Sequence, residues 1–225
     1  MKYLPLTERQ IAWRAAQDVS DGTYVNLGIG IPTLIANYVP EDREVIYHSE
    51  NGILGMGPEP MPGEEDPDLI NAGKFFVTIL KGGCFFDSSL SFVMIRGGHL
   101  DLVFLGAFQV SEKGDIANWT TGDERTIPSV GGAIDLAVGC EDVRVLMRHT
   151  TKTGEPKIVK ECTYPLTAKK VVKRIYTDLA VIDVTEKGMI VREIINGYDF
   201  DKLKSVTAAD LILDENWKYL IVPEI

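Results

Sequence analysis

The sequence predicts an α/β fold built on a mostly parallel or mixed sheet, and three observations carry that prediction. Short apolar runs punctuated by glycine recur along the chain, as in KFFVTILKGG (74–83), DLVFLGAFQVS (101–111) and RVLMRH (144–149). Strands that are apolar almost throughout belong to a sheet covered on both faces. A strand, a glycine-rich turn and a helix follow one another in TYVNLGIGIPTLIANYV, and no Ser/Gly-rich linker or fixed-period repeat divides the 225 residues. Residues 1–225 are therefore read as a single domain.

Residues 7–20, TERQIAWRAAQDVS, open with a threonine able to cap a helix and set Ile11, Ala12, Ala15, Ala16 and Val19 on one face. After Asp21-Gly22, TYVNL is a strand, Gly28 and Gly30 form a turn, and a helix is expected from near Pro32, since proline is tolerated in a first turn. EVIYHSE (44–50) is a second strand. The following NGILGMGPEPMPGEEDPD reads as one long loop rich in Gly, Pro and acid, and loops of that length inside compact domains are functional or disordered. FDSSLSFVMIRGG (86–98) is a further apolar run of the stretch in which helical segments are expected. The last third contributes KIVKECTYPLT, a helix-like AKKVVKRIY (168–176), the strands DLAVIDVT and MIVREII around a Glu186-Lys187-Gly188 turn, and a helical DFDKLKSVT.

The composition, 45% hydrophobic and 25% charged, is that of an ordinary globular protein. A formal net charge of −10 argues against nucleic acid as a partner, because phosphate binding needs clustered Lys and Arg. No apolar run reaches the roughly 20 residues of a membrane span, and MKYLPLTERQIAW carries charges where a signal peptide would be apolar, so a cytoplasmic protein without a membrane partner is expected. Cys84, Cys140 and Cys162 are odd in number and widely spaced, which indicates buried free thiols rather than disulfides or zinc. His48, His99 and His149 form no HxxxH or HExxH pattern, and Ser49 lacks the GxSxG elbow of a serine hydrolase.

Four places can carry chemistry. Gly28 and Gly30 stand between a strand and a helix, where backbone N–H groups can cradle a phosphate or thioester ligand or merely make a tight turn; Thr33 replaces the third glycine of a dinucleotide fingerprint. Gly131 and Gly132 enter a predicted helix, as oxyanion donors or as packing glycines. Lys74 follows the acidic loop and can meet a carboxylate substrate or pair with Glu64, Glu65, Asp66 or Asp68. Glu50 ends a predicted strand, where open α/β sheets place ligands, and Asn51-Gly52, Gly55 and Gly57 let the backbone turn sharply beside it. It is either surface decoration or a carboxylate nucleophile toward an activated acyl group.

SENGILGMGP (49–58), with NLGIGIP (26–32), DLINAGK (68–74), GAFQVSEKGDIANW (106–119), GGAIDL (131–136) and ECTYPLT (161–167), resembles the B (beta) subunit of the class I 3-oxoacid CoA-transferases, in the same order and over nearly the whole chain. The resemblance implies a three-layer α/β/α CoA-transferase fold with Glu50 as covalent nucleophile. It implies that Asn26, Gly28, Gly30 and Asn51 belong to the acyl-CoA site, that Lys74 stands in its wall, and that the amide of Gly131, or of its neighbour Gly132, contributes to the oxyanion hole. Coenzyme A esters are then substrates, and no metal, ATP or other cofactor is needed. The implied partner is a CoA-transferase A (alpha) subunit in an α2β2 heterotetramer, with this chain catalytically incomplete alone.

SVGGAIDL, HTTKTGEPKIVKECTYPLT and RIYTDLAV look most like the subfamily that moves CoA from succinyl-CoA to 3-oxoadipate in aromatic-ring degradation, with acetoacetate the next acceptor. A dicarboxylic acceptor calls for one more cation, from Arg96, Arg125 or Lys74. Two other readings use the same kind of domain: a non-enzymatic acyl-CoA or sugar-phosphate binding module, and a sugar-phosphate isomerase with Glu50 as base.

Overall fold

The computed structural model describes residues 4–123, 127–128 and 130–225. Helix α1 (Glu8–Ala16) starts at a reciprocal cap: the Thr7 hydroxyl accepts from the Gln10 amide at 3.2 Å, and the Gln10 side chain accepts from the Thr7 amide at 3.0 Å. Its buried face is Ile11, Ala12, Ala15 and Ala16, and the small alanines let it pack closely on the sheet and on a short 3₁₀ helix, Ile31–Asn37. That 3₁₀ element takes the place of the α-helix expected after Gly30.

The strands are β1 (Thr23–Leu27), β2 (Val45–Ser49), β3 (Ile53–Met56), β4 (Ile79–Phe85), β5 (Leu102–Leu105), β6 (Gln109–Ser111), β7 (Ile116–Ala117), β8 (Val143–Leu146), β9 (Ile158–Val159), β10 (Val172–Tyr176), β11 (Ala180–Thr185), β12 (Gly188–Ile195) and β13 (Leu211–Leu220). Three further helices intervene: α2 (Ser88–Arg96), α3 (Ala133–Gly139) and α4 (Phe200–Ser205). Ten strands form one sheet in the order β13-β12-β11-β10-β8-β5-β1-β2-β3-β4, and β7-β6-β9 form a small second one. The centre, β10, β8, β5, β1 and β2, is parallel, whereas β2-β3-β4 and β10-β11-β12 pair antiparallel, so the sheet is mixed. Every residue of β5 is buried, as the both-faces-covered reading requires.

Three further elements depart from the sequence reading. AKKVVKRIY contains strand β10, not a helix: Val172, Ile175 and Tyr176 are buried, while Arg174 reaches sideways to carboxylates. The loop expected after Glu50 first forms β3, which folds back on β2 with His48 opposite Leu54. The unforeseen β13 runs parallel to β12 after the α4 crossover.

An ion-pair network ties α1 to this half of the sheet. Asp18 accepts from Arg14 at 2.8 Å, Arg174 at 2.8 Å and the Tyr176 hydroxyl at 2.7 Å. Asp183 accepts from Arg174 at 2.5 Å and Arg192 at 2.7 Å, and Arg192 also holds Asp214.

The two sheet edges differ. β13 exposes Ile212 and Tyr219 but intersperses them with Asp214, Glu215 and Lys218, whereas β4 exposes Leu80, Cys84 and Phe85 around a single Lys81. Of the thiols expected to be buried, Cys140 is, Cys162 is partly so, and Cys84 lies open on β4. Among the described residues no helix is long and apolar enough to cross a membrane.

Candidate active site

Glu50 occupies the tip of the β2–β3 hairpin. The Gly52 amide donates to the Ser49 carbonyl at 2.9 Å, which makes Glu50 and Asn51 the central residues of a tight turn. Gly52 has φ 115°, and a Cβ there would run into the Phe86 carbonyl. Phe86 in turn donates its amide to the Gly52 carbonyl at 3.0 Å, which fixes the turn to the segment entering α2. The local sequence Glu-Asn-Gly thus meets a geometry that only glycine satisfies at its third position.

The turn stands at the carboxyl end of β2, beside the carboxyl ends of β1, β5 and β8, the place where open α/β sheets bind ligands. A cavity of about 480 Å³ opens there. Leu27, Ile31, Leu105, Leu136, Leu146 and Met147 give it apolar walls, and Asn26, Gly28, Gly30, Glu50, Gly131 and Gly132 all line it.

The two glycine sites resolve differently. The Gly28 amide donates to the Phe104 carbonyl at 2.8 Å, and a Cβ at Gly28 would lie 2.9 Å from that oxygen. Gly28 is therefore a close-packing residue whose N–H is committed to β5, while Gly30 supplies the left-handed turn at φ 92°. At the start of α3, Gly131 is exposed, and it is Gly132 whose amide N–H is directed at the Glu50 carboxylate. A Cβ on Gly132 would overlap Glu50 Oε2.

Burial pushes the Glu50 pKa up, with Asp135 in the first turn of α3 adding to it, and the Gly132 amide opposes both by favouring the charged form. A half-buried carboxylate short of water is a better nucleophile than one on the surface.

Behind it sits His48, buried and overlooked in the sequence because it matched no metal pattern. Asn26 Nδ2 donates to His48 Nδ1 at 3.0 Å and to the His48 carbonyl at 3.1 Å. With Nδ1 accepting, the ring proton is on Nε2, which donates to the buried Ser91 hydroxyl of α2 at 2.8 Å. Burial lowers the His48 pKa to about 4, so the ring is neutral and acts as a spacer between β1, the hairpin and α2.

Other expected residues lie elsewhere. Asn51 turns away from the cavity and donates to the Ile70 carbonyl at 2.8 Å. Lys74 is exposed, adopts φ 64°, does not line the cavity, and among the described residues pairs with none of the nearby acids. Arg96 is exposed on α2 and pairs with Asp135 at 2.7 Å. Arg125 lies outside the described residues. The cations that do line the cavity are Arg148 and Lys157, which no local motif marks.

The sequence profile described as Coenzyme A transferase matches residues 9–205, a span that includes Asn26, Glu50, Gly132 and every strand from β1 to β12. The chain belongs to the coenzyme A transferase family. Similar to this transferase chain is the B subunit of the 3-oxoadipate CoA-transferase of Acinetobacter baylyi, 59% identical over 94% of this chain and 98% of the relative. The protein of the same description in Pseudomonas putida is 61% identical over 92% and 97%. Among solved structures, an acyl-CoA transferase from Escherichia coli O157:H7 superposes with a TM-score of 0.71 at 19% identity, over 97% of this chain. The transferase chain spans 44% of that longer one, a likeness of fold alone.

Proposed function

We propose that this chain is the beta subunit of a two-subunit 3-oxoacid CoA-transferase in which Glu50 carries CoA from succinyl-CoA to 3-oxoadipate. The observation that carries the reading is the seat of Glu50: a half-buried carboxylate on a fixed turn, over the carboxyl ends of parallel strands, with the Gly132 amide aimed at it and an apolar-walled cavity beside it. The descriptions of the Acinetobacter and Pseudomonas relatives support the choice of acids.

The chemistry is a ping-pong exchange. A Glu50 oxygen attacks the thioester carbonyl, the C–S bond breaks, and CoA thiolate leaves behind a mixed anhydride. The thiolate then attacks the glutamyl carbonyl, the first acid departs as its carboxylate, and CoA is held as a glutamyl thioester. The acceptor carboxylate attacks that thioester, CoA thiolate is expelled again, and its attack on the acceptor carbonyl of the new anhydride regenerates Glu50. Protons and electrons balance throughout. Each step exchanges one activated acyl bond for another, so no resident cofactor is required. The Gly132 N–H supports the negative oxygen of each tetrahedral intermediate at the glutamyl carbon. The apolar walls keep water from the anhydride.

The alpha subunit completes the CoA-binding surface in an α2β2 assembly. The exposed apolar edge strand β4, two strands from Glu50 in the sheet, suits a second chain. The test is co-expression with the alpha subunit, incubation with succinyl-CoA, and mass spectrometry of the peptide containing Glu50. A CoA adduct on Glu50 that borohydride reduces is expected. Full transfer by Glu50→Ala, or an enzyme that turns over with no adduct, would overturn the reading.

A further inference from the structure

The cavity contains one acid, Glu50, and two cations among its described lining residues, and only one of the cations has no side-chain hydrogen bond or ion pair. The Arg148 guanidinium donates to the Leu6 carbonyl at 2.7 Å and faces Asp178 at 3.5 Å and Glu8 at 3.8 Å, which ties the N-terminal segment to the sheet. Lys157 is different. Its amide donates to the His149 carbonyl at 3.1 Å, and its own carbonyl accepts from the Val110 amide at 3.0 Å, so the backbone is pinned between the end of β8 and β6. Lys157 is half-buried and is one of the residues lining the cavity, and among the described residues its ammonium makes no hydrogen bond and no ion pair. A partly desolvated charge that has only the longer-range attraction of Asp178, with no hydrogen bond or ion pair, is costly, and an anion in the cavity would relieve that cost.

We propose that Lys157 receives the remote carboxylate of a dicarboxylic acyl group whose other carboxyl reacts at Glu50, and thereby selects dicarboxylic over monocarboxylic acceptors. The proposal rests on the reading of Glu50 as the acyl-transfer centre. It gives Lys157 the role that the sequence offers to Arg96, Arg125 or Lys74. Leu105, Leu136, Leu146 and Met147 supply apolar lining suited to the methylene chain between the two carboxyls. Desolvation lowers the Lys157 pKa to about 8, against a raising influence of Asp178; Arg148 and His149 are its other ionisable neighbours, with Glu50 in the same cavity. A bound carboxylate pulls that pKa back up, so the dicarboxylate binds with proton uptake at alkaline pH.

The experiment uses the enzyme assembled with its alpha subunit; kcat/KM is compared for 3-oxoadipate and for acetoacetate, with succinyl-CoA as common donor. In a ping-pong scheme the acceptor's kcat/KM reports only the half-reaction that starts from the glutamyl thioester, so the donor's own remote carboxylate drops out. Lys157→Met is expected to lower kcat/KM for 3-oxoadipate about 10- to 100-fold and that for acetoacetate by less than about threefold, as loss of one charge-assisted contact predicts. Lys157→Arg should restore most of the preference. Equal losses on both acceptors would place Lys157 in the CoA site or the fold and overturn the proposal. The wild-type enzyme gives an independent readout: the ratio of the two kcat/KM values should fall as pH rises through about 8, and a flat ratio overturns the proposal without any variant. Absence of a Glu50 adduct in an active wild-type enzyme refutes the acyl-transfer reading itself, a result distinguishable from either.

Discussion

Gly132 lies against Glu50 so closely that a single methyl group on it would overlap the carboxylate oxygen. Its φ of −84° is one that alanine adopts freely, so the constraint comes from the site and not from the backbone. Gly132→Ala keeps the amide N–H but its methyl group pushes the Glu50 carboxylate away from it, so the melting temperature should stay almost unchanged and kcat should fall by about 100-fold or more, the scale on which an oxyanion contact is felt. Thermal denaturation and steady-state kinetics of the assembled enzyme check both halves. A variant as active as wild type would separate Gly132 from the chemistry.

Glu50→Gln keeps the size of the side chain and removes its charge. Loss of transfer by about a thousandfold or more is expected, since among the described residues no other lining side chain is a carboxylate. Stability should move the opposite way. A carboxyl whose folded pKa is raised contributes stability below its unfolded pKa and loses that contribution as pH rises through the folded one. At neutral pH the Gln variant should therefore melt higher than wild type, and the gain should vanish on acidification. Paired melting curves across the acid range decide it.

His48 and His149 are both buried and both held near a pKa of about 4, against 6.5 when exposed. Unfolding between those values takes up a proton at each ring, so the folded state weakens as pH falls below about 6.5. Each ring contributes about 3 kcal/mol to that loss by pH 4. Urea titrations at a series of pH values should give a steep slope in this window, and His48→Gln should make it shallower.

Asp18 joins α1 to β10 through Arg14, Arg174 and the Tyr176 hydroxyl. Asp18→Ala leaves two guanidinium groups short of a partner and should cost about 3 kcal/mol. The arginines hold the Asp18 pKa below the ordinary carboxylate value despite burial, so the contribution is present at neutral pH and is lost as pH falls through the folded pKa. Chemical denaturation of wild type and variant at neutral and acid pH measures it.

What was legible in the sequence is what local chemistry encodes. Glu50 could be singled out because the turn that presents it is built from its own neighbours, Asn51 and Gly52. Helix α1 could be placed because Thr7 and Gln10 cap it within one turn. β10 reads as a helix from sequence because Lys173 and Arg174 look like a solvated helix face until Asp18 and Asp183 are brought to meet Arg174. β13 does not announce itself in sequence because its polar middle, Asp214 to Asn216, finds a partner only when Arg192 of β12 lies alongside. In the same way, nothing near Lys157 announces a cavity lysine, and nothing near His48 announces that Ser91 and Asn26 will hold both its ring nitrogens. Those contacts exist only once the parallel strands have been laid side by side.

The unequal edges of the sheet bear on how this chain can be handled. β4 offers a free ladder of backbone donors and acceptors flanked by Leu80 and Phe85, with an oxidisable thiol at Cys84 between them. Copies of this chain that meet through β4 would form a sticky, redox-sensitive aggregate. Dilute handling and a reducing buffer then become conditions for recovering it in solution.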